Sequence, residues 1–141
     1  MSPQKSAEFA ALAAGKAMAD ASGKKGKQLA LAVAELGRIA AMAAGMKAKL
    51  SQEIAAEAAG MLAASVATEE GKNPQEVYSA VVEAVQEVAA ELGIRDGIVM
   101  LKILTAAKAT GQSALNAGRT AWQSANAAVA AAASVAASED A

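Results

Sequence analysis

Apolar positions in this chain recur every three to four residues, in five or six blocks of about twenty residues with short polar or glycine-containing breaks between them. The pattern predicts helices and no strands. Ser2 before Pro3 marks the first start, since a serine hydroxyl can cap free N–H groups and proline fits the first helical turn. This helix is predicted to reach about Ala21, with Phe9, Leu12 and Ala13 on one face, and Ser22–Lys27 breaks it. A second helix is predicted over 28–46, its apolar stripe being Leu29, Val33, Leu36, Ile39, Ala43 and Met46. The third, over 51–68, is predicted to turn Ile54, Ala58, Met61, Leu62 and Val66 inward and Gln52, Glu53 and Glu57 outward.

Asn73-Pro74-Gln75-Glu76 is the sharpest local signal: a capping asparagine, a first-turn proline and a glutamate three residues on to complete a capping box. The helix that follows carries Val77, Val81, Val85, Val88 and Leu92, and Gly93-Ile94 reads as its glycine stop. Asp96 is expected to cap a fifth helix. Its opening run Ile98–Leu104 is apolar nearly all round, which predicts a place in the middle of the bundle. Beyond Gly111, Leu115, Trp122, Val129 and Ala136 recur every seven residues, with Gly118, Ala125 and Ala132 three positions later, as in a seam for close helix pairing. The reading is an all-α, up-and-down bundle of five or six Ala-rich helices over residues 1–125. Residues 126–141 are a low-complexity, Ala-rich extension of the last helix or a tail.

Composition sharpens this picture. Alanine occupies 43 of 141 positions, and several of the 11 glycines fall inside helical blocks, so the chain selects small side chains that let helix backbones approach closely. Two ridges at spacing four, Gly37-Ala41-Gly45 and Ala56-Gly60-Ala64, suit internal packing first and an interface between molecules second. With no cysteine and no histidine there is no thiolate chemistry, and the commonest metal ligand and general base is missing. Nothing sets a nucleophile beside a base, so no catalytic residue, cofactor or metal site is expected, and the threonines follow no repeat that would build an ice-binding face. Gly23-Lys24-Lys25-Gly26-Lys27 lacks the spacing of a phosphate-binding loop and reads as an exposed basic turn.

The formal charge of −1 argues against a nucleic-acid partner. The best candidate membrane window, Leu29–Met46, carries Glu35 and Arg38 near its middle, each costing about 2.5–3.5 kcal/mol to insert, so a span is not expected. Met1–Lys5 leads into an amphipathic stretch rather than a signal peptide. The near-zero total hides a segregation of charge: residues 16–49 sum to +5 and residues 50–91 to −7. Within the second block Glu83, Glu87 and Glu91 repel one another along one helix face, a strain that a basic partner, salt or protonation relieves.

Five small-residue helices of about twenty residues, the run Leu62-Ala63-Ala64-Ser65-Val66-Ala67, the Leu92-Gly93-Ile94 junction and the Ala/Ser-rich end together resemble the globular domains of spider-silk proteins, over roughly residues 8–112. The resemblance implies a secreted five-helix bundle that dimerises through complementary charged faces as carboxylates protonate at falling pH. On this reading the partner is a second copy, most simply in a dimer. Lys24, Lys25, Lys27, Lys47 and Lys49 are the expected basic side, Glu53, Glu57, Glu83, Glu87 and Glu91 the acidic side, and Gly37, Ala41 and Gly45 a close-packing ridge. Three other readings stay open: an exchangeable bundle that opens onto a lipid surface, a filament subunit, and a designed bundle without natural function.

Overall fold

The computed structural model describes residues 2–23 and 26–140, and every regular element among them is a helix. The order is α1 (Pro3–Ser22), α2 (Gly26–Ala43), α3 (Ala48–Glu69), α4 (Pro74–Leu92), α5 (Ile98–Asn116) and α6 (Ala121–Asp140). The molecule is thus an all-α bundle of six helices. Several ends form as their sequences dictate. The Ser2 hydroxyl accepts the Lys5 N–H at 3.2 Å. Asn73 accepts from the Glu76 N–H at 2.9 Å while the Glu76 carboxylate accepts the Asn73 N–H at 3.1 Å, the reciprocal capping box. Gly93 adopts φ +72°, which lets the Ile94 N–H reach back to the Ala89 carbonyl at 2.8 Å.

The central helix is α3, not α5 as the apolar run Ile98–Leu104 suggests. It packs against α1, α2, α4 and α5, and buries Ile54, Ala55, Ala56, Ala58, Ala59 and Leu62 around its circumference. Small residues make this possible: bringing four neighbours onto one helix requires short interaxial distances, which alanine and glycine allow and leucine does not. A Cβ placed on Gly60 would lie 2.5 Å from Thr105 Cγ2 and 3.0 Å from Val85 Cγ2, so α5 and α4 both close onto that glycine. In α5 the apolar run is only half used. Leu101, Thr105, Ala106 and Ala109 are buried, whereas Val99, Met100 and Leu104 are exposed.

Two predicted stripes are rotated for the same reason. On α2, Ile39 is exposed and Ala30, Ala34, Gly37 and Ala41 join Leu29 and Val33 inside. On α1, Ala7 and Ala11 are buried while Phe9 is exposed. In each case the face of smallest side chains, rather than of greatest hydrophobicity, meets α3. Nor does Asp96 cap α5: the N-cap is Gly97, without a side-chain hydrogen bond.

The heptad seam from Leu115 through Trp122 and Val129 does not form. The chain leaves α5 after Asn116 and turns through Gly118, so Leu115 and Trp122 belong to different helices. The side of α6 that meets the bundle carries Ser124, Ala131 and Val135 instead. Ser124 donates to the Gly111 carbonyl at 2.8 Å, and near the other end Lys102 donates to Glu139 at 3.0 Å, so α6 runs back along α5. Residue 126, from which a helix extension or a tail was expected, lies inside this continuous helix, and Ala131 and Val135 sit in the main core beside α4 and α5 residues.

Candidate functional site

The structure separates the residues predicted to form an interface. Gly37 and Ala41 are buried within the protomer, Gly37 with its backbone near Ala55, Ala58 and Ala11. Gly45 is not part of that ridge. Helix α2 stops at Ala43, and Gly45 occupies an exposed turn at φ +86°, a conformation that favours glycine. Lys24 and Lys25 lie outside the described residues. Lys27 is exposed in the first turn of α2, while Lys47 and Lys49 are exposed beyond its other end, so the length of α2 separates them. On the acidic side Glu53 is half-buried at the start of α3, Glu91 is exposed near the end of α4, and Glu83 and Glu87 line a groove described below.

Glu57 turns inward rather than to solvent. Lys108 of α5 donates to Glu8 of α1 at 3.0 and 3.4 Å and to Glu57 of α3 at 3.2 Å, so one ammonium holds two carboxylates from two other helices. Helices α1 and α5 do not otherwise pack together, which makes Lys108 a bridge between them. Both carboxylates are largely covered, Glu8 at 5 % and Glu57 at 13 % side-chain exposure. Burial, then a hydrogen bond shared with Glu8, pushes the Glu57 carboxyl up to about 7 against the opposing pull of Lys108. Burial also works against the charge on Lys108, but the two glutamates outweigh it and hold the ammonium above the ordinary lysine range. Glu57 therefore keeps its proton well above the ordinary carboxylate range while Lys108 stays charged.

Sequence spacing could not show this. Glu57 carries the same local pattern as Gln52 and Glu53, all three expected to face outward, and the residues that hold it lie 49 and 51 positions away. A missed feature that was within reach is the cap of α6. Thr120 and Gln123 exchange hydrogen bonds at 3.0 and 3.2 Å, the pattern that Thr120-Ala121-Trp122-Gln123 spells out.

Two grooves flank α3. One, of about 400 Å³, lies between α1 and α5 and is lined by Phe9, Leu12, Met61 and Leu62, with the Glu8–Lys108 contact in its wall. The other, of about 530 Å³, lies between α2 and α4, with Leu29, Leu62 and Val66 in its lining and Glu70, Glu76, Glu83 and Glu87 around it. Among the described residues no group of His, Cys, Asp or Glu converges as a metal site requires.

The outer side of α6 forms a third surface. Between Ala121 and Ser138 this edge helix has no charged residue, and Trp122 and Val129 stand 74 % and 68 % exposed at a spacing that puts them on one face. On neighbouring α5, Met100, Leu104 and Leu115 are about half exposed. Among the described residues no helix is long and apolar enough to cross a membrane. Comparison with protein-family models, curated proteins and solved structures finds no match.

Proposed function

We propose that this protein is a non-enzymatic assembly module, an up-and-down helical bundle that pairs with a second copy of itself through the outer face of α6. The observation that carries the reading is the uncharged face centred on Trp122 and Val129. Exposed tryptophan is the costliest apolar side chain to leave in water and is enriched at the energetic centres of interfaces. Around it the face is built of small or uncharged residues such as Ala125, Asn126, Ala133 and Ala137, which permit close crossing of two like helices. A twofold arrangement sets the same face against itself, and because that face has no charges, self-contact creates no like-charge repulsion. A 20-residue helix is about 30 Å long and 10 Å wide, so α6 with the exposed flank of α5 offers several hundred Å² per protomer, the scale of a dimer contact.

Opposed charge plays a different part from the one the sequence suggests. Among the described residues α2, with Lys27 and the Lys47–Lys49 pair at its opposite ends, makes no contact with α6, so these charges steer the approach of two copies rather than supply the contact. The likeness to spider-silk globular domains supports the same class of function, pairing of compact helical bundles.

Trp122 is the sole tryptophan and so reports directly on the surface in question. Its fluorescence should shift to the blue as protein concentration rises, and the Trp122→Phe, Val129→Lys variant should sediment as a monomer at concentrations where the parent chain pairs. Emission that stays constant with concentration would remove α6 as the interface. A blue shift produced only by adding anionic lipid vesicles would transfer the same face to a lipid surface.

A further inference from the structure

The groove between α2 and α4 is a separate surface from α6, and its chemistry points to a small-molecule ligand. Its volume, about 530 Å³, lies within the range of cavities that enclose small organic molecules. Leu29 of α2 and Leu62 and Val66 of α3 supply apolar lining. Along α4 it runs from Gln75 to Glu87, about 18 Å at the helical rise.

Charge selects the head group. Glu70, Glu83 and Glu87 line the groove and, among the described residues, form no ion pair; Glu76 is occupied by its capping bond, and Lys72 is the one basic residue of the described lining. Glu83 and Glu87 sit four apart on one helix and repel each other, and a cation placed over them relieves that repulsion. Among the described residues no third ligand joins them to complete a metal site. A diffuse negative rim above an apolar floor fits a singly charged organic cation with a hydrocarbon body. We infer that the α2–α4 groove binds a cationic amphiphile, its alkyl chain along Leu29, Leu62 and Val66 and its ammonium between Glu83 and Glu87.

The test is titration of the isotope-labelled full chain with dodecylammonium at pH 7, low salt and below its micelle concentration, followed by backbone amide shifts, with dodecyl sulfate as the anionic counterpart. The expected result is one saturable site with shifts confined to Leu29–Ala30, Ala59–Ala67 and Ser79–Glu87. Glu83→Gln together with Glu87→Gln, two surface changes whose fold circular dichroism can check, should weaken it roughly five- to tenfold. The Val129→Lys variant should bind as the parent does, because the groove and the α6 face are independent. Absence of saturable shifts, equal affinity for dodecyl sulfate, or undiminished affinity in the double glutamine variant would each overturn the assignment.

Discussion

Gly60 and Gly37 are both helical glycines on small-residue ridges, yet they should respond oppositely to a single added methyl. At Gly60 a Cβ meets Thr105 and Val85 at 2.5 and 3.0 Å, both of them fully buried, so overpacking of about 1–3 kcal/mol outweighs the gain in helix propensity of about 1 kcal/mol. At Gly37 the nearest atoms lie at 3.4 to 3.5 Å, ordinary contact, so the propensity gain should dominate. Chemical denaturation should show Gly60→Ala destabilised by roughly 1–2 kcal/mol and Gly37→Ala unchanged or more stable by a few tenths. Glu57 carries a second prediction at this scale. Its folded carboxyl holds a proton up to about pH 7, whereas the unfolded chain releases it near 4.5, so the folded state binds more protons between those values and stability falls as pH rises through them. Lys108 stays charged in both states over this window and adds no slope of its own. Glu57→Gln mimics the protonated acid. Relative to that variant, the parent chain should lose on the order of 2–3 kcal/mol between pH 4.5 and 7.5, and parallel profiles would contradict the shared-proton geometry. That small residues would govern packing was legible in the sequence at these positions. Which glycine is tight was not, because Thr105 and Val85 approach Gly60 from elements 45 and 25 residues away in the chain.

At the scale of elements, what is encoded locally was readable and what depends on neighbours was not. The α4 start is fully specified by four consecutive residues, and Asn73→Ala should cost about 1 kcal/mol by removing the bond to the Glu76 N–H, lowering the melting temperature by about 2–4 °C. An unchanged melting temperature would mean that proline and packing alone set this end. The helix ends at Gly93 and Ser2 were equally legible. Failures arose where hydrophobicity was taken to decide orientation: Ile39, Phe9 and Leu104 are larger than the alanines on the inner faces of their helices, yet they point out, because the crowding around α3 admits only small side chains. The broken seam at Gly118 has a related cause. A seven-residue repeat of apolar positions carries the same signature whether it faces the bundle or faces away from it, and only the turn after Asn116 decides between them.

For the whole molecule, α3 sets the interior and α6 the exterior character. The core around α3 is satisfied within one chain: no buried side-chain N or O atom among the described residues lacks a hydrogen-bond partner, and the Glu8–Lys108–Glu57 bridge ties α1 to α5 without direct packing between them. The apolar surface that remains unpartnered is concentrated on the last two helices. The seam predicted from Leu115, Trp122 and Val129 thus forms no internal contact, but its large residues supply the face assigned here to a second copy. Of the expected basic side, Lys27 and the Lys47–Lys49 pair stand at opposite ends of α2 and Lys24 and Lys25 lie outside the described residues, while on the acidic side Glu57 is drawn inside.

The most direct measurement is the mass in solution, by light scattering coupled to size exclusion at about 100 µM, pH 7.5, in low and high salt. The account predicts twice the 13.9 kDa chain mass for the parent protein in both salts, because an uncharged apolar contact is not screened. It also predicts a return to the single-chain mass in the Trp122→Phe, Val129→Lys variant. A parent chain of single mass throughout, or a dimer that survives the substitution of its α6 face, would contradict it.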